Sequence, residues 1–279
     1  MELFATPGPN QAGVLAAQAA ESGCDIVLAA GGDGTINEAV NGLAGSNTVF
    51  GVLPAGTANV LANEVGLAQR PDFAARQILR AVPVRVSLGI VETEGAPPRY
   101  FVLMAGIGLD ARIVYELDPH LKRRFGKLAY WHSGFRMVGQ TQPRFHASVH
   151  GLEHHGSENH AGRHHVSFAL VTRVRNYGGD FEIARRVRLT DKDFEVVLFE
   201  DNEWHDYLRF FGAVATGRLE STRGVSIARS MQVDVSAPED RRIYIQVDGE
   251  AVGVLPATVR VVPDALTLLL PKRYAGLEE

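Results

Sequence analysis

The sequence predicts an α/β protein in two parts, an open parallel sheet followed by a mostly antiparallel β-sandwich. The first part is predicted because apolar, strand-like runs alternate with helical patterns and meet them at glycine-containing turns. The second part is predicted because the pattern beyond residue 83 changes to short alternating strands with turn residues between them. We therefore expect an N-terminal unit over residues 1–83 and a C-terminal unit over residues 84–279.

The composition narrows the class of protein. The chain has 279 residues, of which 46% are hydrophobic, and this is enough for one large or two modest cores. A formal net charge of −4 and the lack of a long basic run argue against a nucleic-acid partner. The single cysteine, Cys24, excludes an internal disulfide. Without a membrane-spanning or signal-type stretch, we expect a soluble cytoplasmic protein, with a homodimer as one possible state.

The N-terminal elements follow from local patterns. The run from Leu3 to Thr6 predicts a short strand, and the alanine-rich stretch from Gln11 to Ser22 predicts a helix. Ile26 to Ala30 is an apolar run that predicts a buried parallel strand. A helix is expected to follow as far as Leu43, because apolar residues repeat there at helical spacing. The next strand is predicted at Val49 to Leu53.

A glycine-rich loop joins the Ile26 strand to its helix and reads Gly31-Gly32-Asp33-Gly34-Thr35. Glycines at a strand end let a ligand approach the main chain, and a helix start offers unpaired N–H groups to an anion such as phosphate. A carboxylate beside phosphates requires a cation between them or a donor to orient, so Asp33 indicates a magnesium nucleotide. The alternative is a tight turn in which Asp33 caps the helix.

A second turn of this kind follows the next strand, at Gly56-Thr57-Ala58-Asn59. Two such turns lie on the same edge of a parallel sheet, where ligands of open α/β sheets bind. The alternative for this segment is an ordinary helix cap, since Thr and Asn are common at helix starts.

The C-terminal half contains three segments of functional interest and seven predicted strands. The segment Val247-Asp248-Gly249-Glu250 ends a strand in a hairpin turn. Asp191 lies in a turn where it is expected either to hold a ligand or to be part of an ordinary charged turn between strands. The basic and aromatic segment from Leu121 to Trp131 suits either a membrane interface or a solvated helix start. The strands are predicted at 85–92, 100–104, 144–150, 166–172, 194–199, 243–247 and 267–270.

The string from Gly31 to Leu43, GGDGTINEAVNGL, resembles the signature of the diacylglycerol kinase catalytic domain family. NAD kinases carry a related Gly-Gly-Asp-Gly, but their Asn-Glu pair lies far downstream, whereas Asn37 and Glu38 follow at once here. The turns at 56–59 and 247–250 are similar to two further motifs of the family, so the resemblance covers nearly the whole chain. It departs from the family pattern at four positions, which are Val60, Ser87, Arg185 and Lys192.

The resemblance implies an ATP-dependent lipid kinase that phosphorylates a lipid hydroxyl, with diacylglycerol as the default acceptor. Asp248, or less favourably Glu250, would accept the hydroxyl proton, while Asp33 would act through Mg²⁺ and Asp191 would help to hold a structural Mg²⁺. The enzyme would meet its lipid peripherally, at the inner face of the membrane. The expected nucleotide contacts are Thr6, Gly31, Gly32, Asp33, Gly34, Thr35, Asn37, Glu38, Gly56, Thr57 and Asn59.

Two other functions stay open at this point. The family's first strand has no counterpart here, so the N-terminal unit is expected to be truncated. Together with the departures at Val60, Ser87 and Lys192, this leaves room for a catalytically impaired lipid-binding or regulatory protein on the same fold. A kinase for a soluble acceptor such as NAD is the third possibility, and the closely spaced Asn37 and Glu38 argue against it.

Overall fold

The computed structural model describes residues 2–116, 141–151, 162–177 and 181–277. The segment from Leu121 to Trp131, for which a membrane contact was one expectation, lies outside these residues. In the described part of the chain, the strands form one eight-stranded sheet, one six-stranded sheet and one two-stranded ribbon. The α/β architecture with a mostly antiparallel second half is as predicted.

The described helices and strands alternate at first and are then mostly strands. In chain order they are α1 Ala12–Glu21, β1 Ile26–Gly31, α2 Asp33–Leu43, β2 Val49–Pro54, α3 Val60–Val65, α4 Pro71–Ile78, β3 Val82–Thr93, β4 Arg99–Phe101, β5 Met104–Gly108, α5 Leu109–Glu116, β6 Phe145–Val149, β7 Gly162–Val166, β8 Phe168–Thr172, β9 Asn176–Tyr177, β10 Phe181–Glu182, β11 Phe194–Phe199, α6 Trp204–Thr216, β12 Val225–Ser230, β13 Gln232–Ser236, β14 Tyr244–Val247, β15 Glu250–Val254 and β16 Ala257–Leu270.

The first sheet begins with parallel strands. β1 pairs in parallel with β2, and β2 pairs in parallel with Thr267–Leu268 near the end of β16. Helices α1 and α2 pack closely because two glycines face each other. A Cβ atom on Gly42 would lie 2.1 Å from the carbonyl oxygen of Gly13, which is far inside van der Waals contact. The close approach of these two helices therefore requires glycine at position 42.

The strand predicted from Leu3 to Thr6 was wrong. This segment forms no strand, and Leu3 and Phe4 are 93% and 63% exposed. β1 is an edge strand in the described part of the chain, with β2 on one side only. An isolated apolar run without a hydrogen-bonded neighbour gains little from an extended conformation, which is why the local pattern was misleading.

The long strands β3 and β16 connect the two parts of the molecule. They pair antiparallel along most of their length, and the first half of β16 also pairs with β13. The other large sheet has the order β12-β11-β8-β5-β14-β15 and is antiparallel throughout. Buried aromatic side chains fill the space between the sheets, as with the stacked rings of Phe101 and Phe194. The predicted boundary at residue 83 falls inside β3 and stays a prediction.

The single strand predicted from residue 100 to residue 104 is divided in the structure. β4 ends at Phe101 and β5 begins at Met104. The backbone N–H groups at the break leave the ladder and donate to Asp248 instead. The interruption is therefore part of the candidate site, and an alternating apolar pattern gives no sign of it.

Candidate active site

The two glycine turns touch through their backbones. The N–H of Ala55 donates to the carbonyl of Gly31 at 3.0 Å, which extends the β1–β2 pairing into the turns. A Cβ atom on Gly56 would lie only 2.5 Å from the Cα of Gly32. Position 56 therefore has to be glycine for the turns to meet, and a Cβ on Gly32 would be a tight contact at 3.3 Å from the Cα of Gly56. The contact brings the starts of α2 and α3 to the same edge of the sheet, where their N–H groups can receive an anion.

Asp33 connects these two helix starts. It is the first residue of α2, and its Oδ1 accepts a hydrogen bond from the N–H of Val60, the first residue of α3, at 2.7 Å. Burial raises the pKa of Asp33, while hydrogen bonds from the backbone around Val60 act in the opposite direction. The alternative in which Asp33 caps its own helix was wrong, because its carboxylate caps the neighbouring helix α3 and lies beside both glycine turns.

Asn59 shapes the second turn from within. Its backbone is left-handed, with φ of 47°, and it is the residue immediately before α3. Its side chain accepts from the N–H of Gly56 at 2.8 Å and donates back to the carbonyl of Gly56 at 2.9 Å. These two bonds close the turn, so the amide of Asn59 holds the loop in shape. Thr57 lies at the exposed tip of the same loop.

Asp248 lies in a two-residue hairpin turn between β14 and β15. Asp248 and Gly249 both have positive φ, at 49° and 84°, as a tight hairpin of this kind requires. The carboxylate is buried and accepts three backbone N–H groups, from Val102 at 3.0 Å, Leu103 at 3.0 Å and Met104 at 2.9 Å. Burial raises the pKa of Asp248 to about 6, although these hydrogen bonds favour the charged form.

A polar network continues from Asp248 to the surface. The side-chain amide of Asn37 on α2 donates to Asp248 at 2.8 Å. Arg99 donates from its Nη2 atom to the Oδ1 of Asn37 and to the Oε2 of Glu250, at 2.9 Å in both cases. Glu250 is the partly exposed end of this network, with a side chain that is 31% accessible. A Cβ atom on Gly34 would lie 3.0 Å from the Oε1 of Glu250, so this carboxylate adjoins the first glycine loop.

A second, buried series of hydrogen bonds supports the hairpin. Gln246 accepts from the N–H of Gly249 at 2.7 Å and donates to the carboxylate of Asp110 at 2.5 Å. The other oxygen of Asp110 accepts a short hydrogen bond from the hydroxyl of Tyr177 on β9. β9 packs against α3, so this series of contacts connects the Asp248 hairpin with the helix that Asp33 caps.

The remaining expected nucleotide contacts are placed as follows. Glu38 accepts from the N–H groups of Asn10 and Ala12, at 2.8 Å and 3.0 Å, and so caps the start of α1. Thr6 lies in an exposed irregular segment, and Thr35 is half-buried in the first turn of α2. Their contacts with a nucleotide stay predictions.

Asp191 lies apart from this network, in the turn before β11. Its Oδ2 accepts from the N–H of Arg188 at 3.0 Å and from the guanidinium of Arg229 at 2.9 Å. Across residues 2–116, 141–151, 162–177 and 181–277, no group of three or more His, Cys, Asp or Glu side chains is arranged to hold a metal ion. The expected role of Asp191 as a magnesium ligand stays a prediction.

Sequence reasoning missed several members of the site. Arg99, Asp110 and Gln246 belong to no recognisable motif, and only tertiary contacts bring them to the hairpin. Asn41 was within reach of the sequence, because it follows Asn37 by four residues on α2 and so lies on the same face. Its side chain pairs with the backbone N–H and carbonyl of Tyr100.

Comparison with known proteins gives a consistent result. The family described as the diacylglycerol kinase catalytic domain matches residues 1–91, and the YegS C-terminal NAD kinase beta sandwich-like domain matches residues 104–270. The chain is 27% identical over 274 residues to a diacylglycerol kinase of Bacillus subtilis (strain 168), covering 97% of this chain and 86% of that protein. It is 26% identical over 260 residues to one of Mycobacterium tuberculosis (strain H37Rv), covering 92% and 81%.

A solved structure supports the fold. The crystal structure of a diacylglycerol kinase from Bacillus anthracis str. Sterne matches with a TM-score of 0.73 at 18% identity, covering 95% of this chain and 84% of that one. The α/β unit with its paired glycine turns is followed by a YegS-like sandwich, and this combination of domains places the chain in a class of kinases. Within this class, the chain belongs to the bacterial lipid kinase family of diacylglycerol kinase catalytic domain proteins. Among the helices described, none has the length and apolar character needed to traverse a bilayer.

Proposed function

We propose that this protein is an ATP-dependent lipid kinase that transfers the γ-phosphoryl group of ATP to a lipid hydroxyl, with diacylglycerol as the acceptor. The observation that carries the proposal is the position of Glu250. A partly exposed carboxylate lies against Gly34 of the glycine loop, and Arg99 orients it at 2.9 Å. A proton acceptor next to a phosphate-binding loop is the arrangement that phosphoryl transfer to a hydroxyl needs.

The glycine turns would hold the nucleotide phosphates. Gly32 and Gly56 bring two helix starts together, and the N–H groups of these turns would face the phosphate oxygens. Mg²⁺ would supply charge neutralisation on the phosphates, and Asp33 is the residue that would hold it. One carboxylate beside a phosphate cradle suits Mg²⁺, which is usually held by one or two carboxylates together with substrate phosphates.

Glu250 and Asp248 would have different roles at the hairpin. Asp248 is buried and accepts four hydrogen bonds, three from the backbone and one from Asn37, so its oxygens are already engaged. Its raised pKa suits a base, but its position suits a residue that fixes the turn. We therefore propose Glu250 as the acceptor of the hydroxyl proton and Asp248 as the positioning residue, which reverses the order of preference drawn from the sequence.

The lipid would be reached at a membrane surface. The free hydroxyl of diacylglycerol is at the polar end of the lipid and faces the membrane–water interface, so the enzyme would bind peripherally and receive its substrate there. We propose that it does so from the cytoplasmic side, where ATP is available.

The test is magnesium-dependent ATP consumption by the purified chain. Mixed micelles of diacylglycerol, sphingosine, ceramide or phosphatidylglycerol would be supplied separately, with NAD as a soluble acceptor in parallel. We expect phosphorylated diacylglycerol from the wild type, and none from Glu250→Gln with unchanged thermal stability. Glu220→Gln is the matched control, because Glu220 also pairs with an arginine, Arg186 at 3.2 Å, on an exposed surface.

The outcomes separate the alternatives. Full activity in Glu250→Gln together with loss of activity in Asp248→Asn would return the proton-accepting role to Asp248. Tight lipid binding by a well-folded protein without ATP consumption would indicate a regulatory or lipid-binding protein. Phosphorylation of NAD alone would contradict a lipid acceptor.

A further inference from the structure

Two arginines converge on the turn that contains Asp191. Arg173, which directly follows β8, is completely buried. Its Nη2 atom donates to the carbonyl oxygens of Leu189 and Asp191, at 2.8 Å in each case, and its Nη1 atom lies 3.5 Å from the carbonyl of Asp193. Burial lowers the pKa of Arg173 to about 10, so it is still charged at neutral pH. A positive charge thus occupies the point where three backbone carbonyls meet.

Arg229 on β12 binds the carboxylates of the same turn. Its Nη2 atom lies 2.9 Å from the Oδ2 of Asp191, and its Nε donates to Asp193 at 3.0 Å. A second, shorter contact joins Arg229 to Asp193. The two carboxylates of the turn are therefore matched by two guanidinium groups, and their charges balance.

This arrangement does not fit a structural Mg²⁺. Magnesium requires close to six oxygen ligands at roughly 2.0–2.1 Å in octahedral geometry. Here the carbonyls of Leu189 and Asp191 point at a guanidinium nitrogen, and the carboxylate of Asp191 is paired with another. A divalent ion would have to displace the side chains of both arginines, and one of them is fully buried.

We propose that the guanidinium groups of Arg173 and Arg229 act as built-in cations that replace a divalent metal ion in holding the turn at residues 189–193. The role of Mg²⁺ is then confined to the nucleotide. The N–H of Arg173 donates to the carbonyl of Leu103 at 2.8 Å, and the N–H of Leu103 donates to Asp248. The turn thus supports the loop that fixes the catalytic hairpin without any metal.

The test uses nucleotide-free full-length protein, so that it does not depend on kinase activity. The protein is dialysed against EDTA, its magnesium content is measured by elemental analysis, and thermal unfolding is followed with and without added MgCl₂. We expect no stoichiometric magnesium and the same Tm in both buffers. A wild-type Tm that falls in EDTA and is restored by MgCl₂ would overturn the proposal.

A variant tests the arginines themselves. Arg229→Met removes the guanidinium that hydrogen-bonds to Asp191 and Asp193, and we expect its Tm to fall by roughly 5 °C or more. Arg260→Met is the matched control, since Arg260 pairs bidentately with Glu92 on a half-exposed face, at 3.1 Å for both bonds, and its loss should matter little. An Arg229→Met protein as stable as this control would contradict the proposal.

Discussion

Replacing Gly56 with alanine is expected to separate the two glycine turns. The new Cβ would lie 2.5 Å from the Cα of Gly32. Ordinary carbon–carbon contact requires about 3.5 Å, so the turns would have to move apart by about 1 Å. The overlap with Gly32 is with backbone atoms, its Cα and N, so no rotation of a side chain can relieve it, and the Oδ1 of Asn59 would also lie only 3.0 Å from the new Cβ.

This displacement has an expected size in stability and in activity. Overpacking of this kind costs about 1–3 kcal/mol, which for a chain of this length lowers Tm by roughly 2–4 °C per kcal/mol. The hydrogen bond from Val60 to Asp33, 2.7 Å long, spans the same gap and would be stretched. A misplacement of about 1 Å at a phosphate-binding site costs about 100-fold in turnover.

The assay compares Gly56→Ala with Gly212→Ala in thermal unfolding, nucleotide affinity and lipid phosphorylation. Gly212 lies within α6, and a Cβ there meets nothing within 4 Å. The control should therefore keep its activity and gain about 0.5–1 kcal/mol in stability, because alanine favours the helix. Wild-type turnover and wild-type Tm in Gly56→Ala would refute the close contact between the turns.

Four further variants test three individual carboxylates. Asp33→Asn is expected to lose turnover but keep the helix cap, whereas Asp33→Ala is expected also to lose about 1 kcal/mol of stability. Equal Tm values for these two variants in thermal unfolding would contradict the cap. Glu38→Ala is expected to lower Tm by a few degrees through the loss of two bonds at the start of α1, and an unchanged Tm with weaker ATP binding would favour a nucleotide contact instead. The pKa of Asp248 is raised from 3.8 to about 6, so the folded state binds its proton more tightly than the unfolded state. This contribution to stability is about 3 kcal/mol at low pH, and about 2 kcal/mol of it is lost as pH rises from about 4 to 6. Denaturant unfolding of Asp248→Asn across this range should show a flatter pH profile than the wild type, and an identical profile would contradict the raised pKa.

Local patterns predicted most of the fold. An alanine-rich stretch placed α1, helical periodicity placed α2, and apolar runs placed β1 and β2. The prediction that β1 is buried was wrong, because Ile26 and Leu28 are 50% and 45% exposed on this edge strand. The wrong strand at Leu3 to Thr6 shows the limit of such patterns. Whether an apolar run becomes a strand depends on a hydrogen-bonded neighbour, which is a property of the sheet rather than of the run.

The candidate site likewise has parts that the local sequence predicts and parts that it does not. The glycine turns and the Asp248 hairpin could be predicted, since glycine and Asp-Gly have strong local conformational preferences. The cap from Asp33 to Val60 and the break between β4 and β5 could not, because both depend on contacts between distant segments.

The sequence by itself determined the alternation of elements, the glycine turns and the motifs that resemble a lipid kinase. These are local features, decided by backbone preference and by the period of apolar residues. Only the tertiary structure decided that Arg99 and Glu250 lie together beside Gly34, and that the guanidinium of Arg173 donates to the backbone carbonyls of the turn at Asp191. Charge pairing and burial depend on which segments meet in space, and that information is absent from any single stretch of the chain.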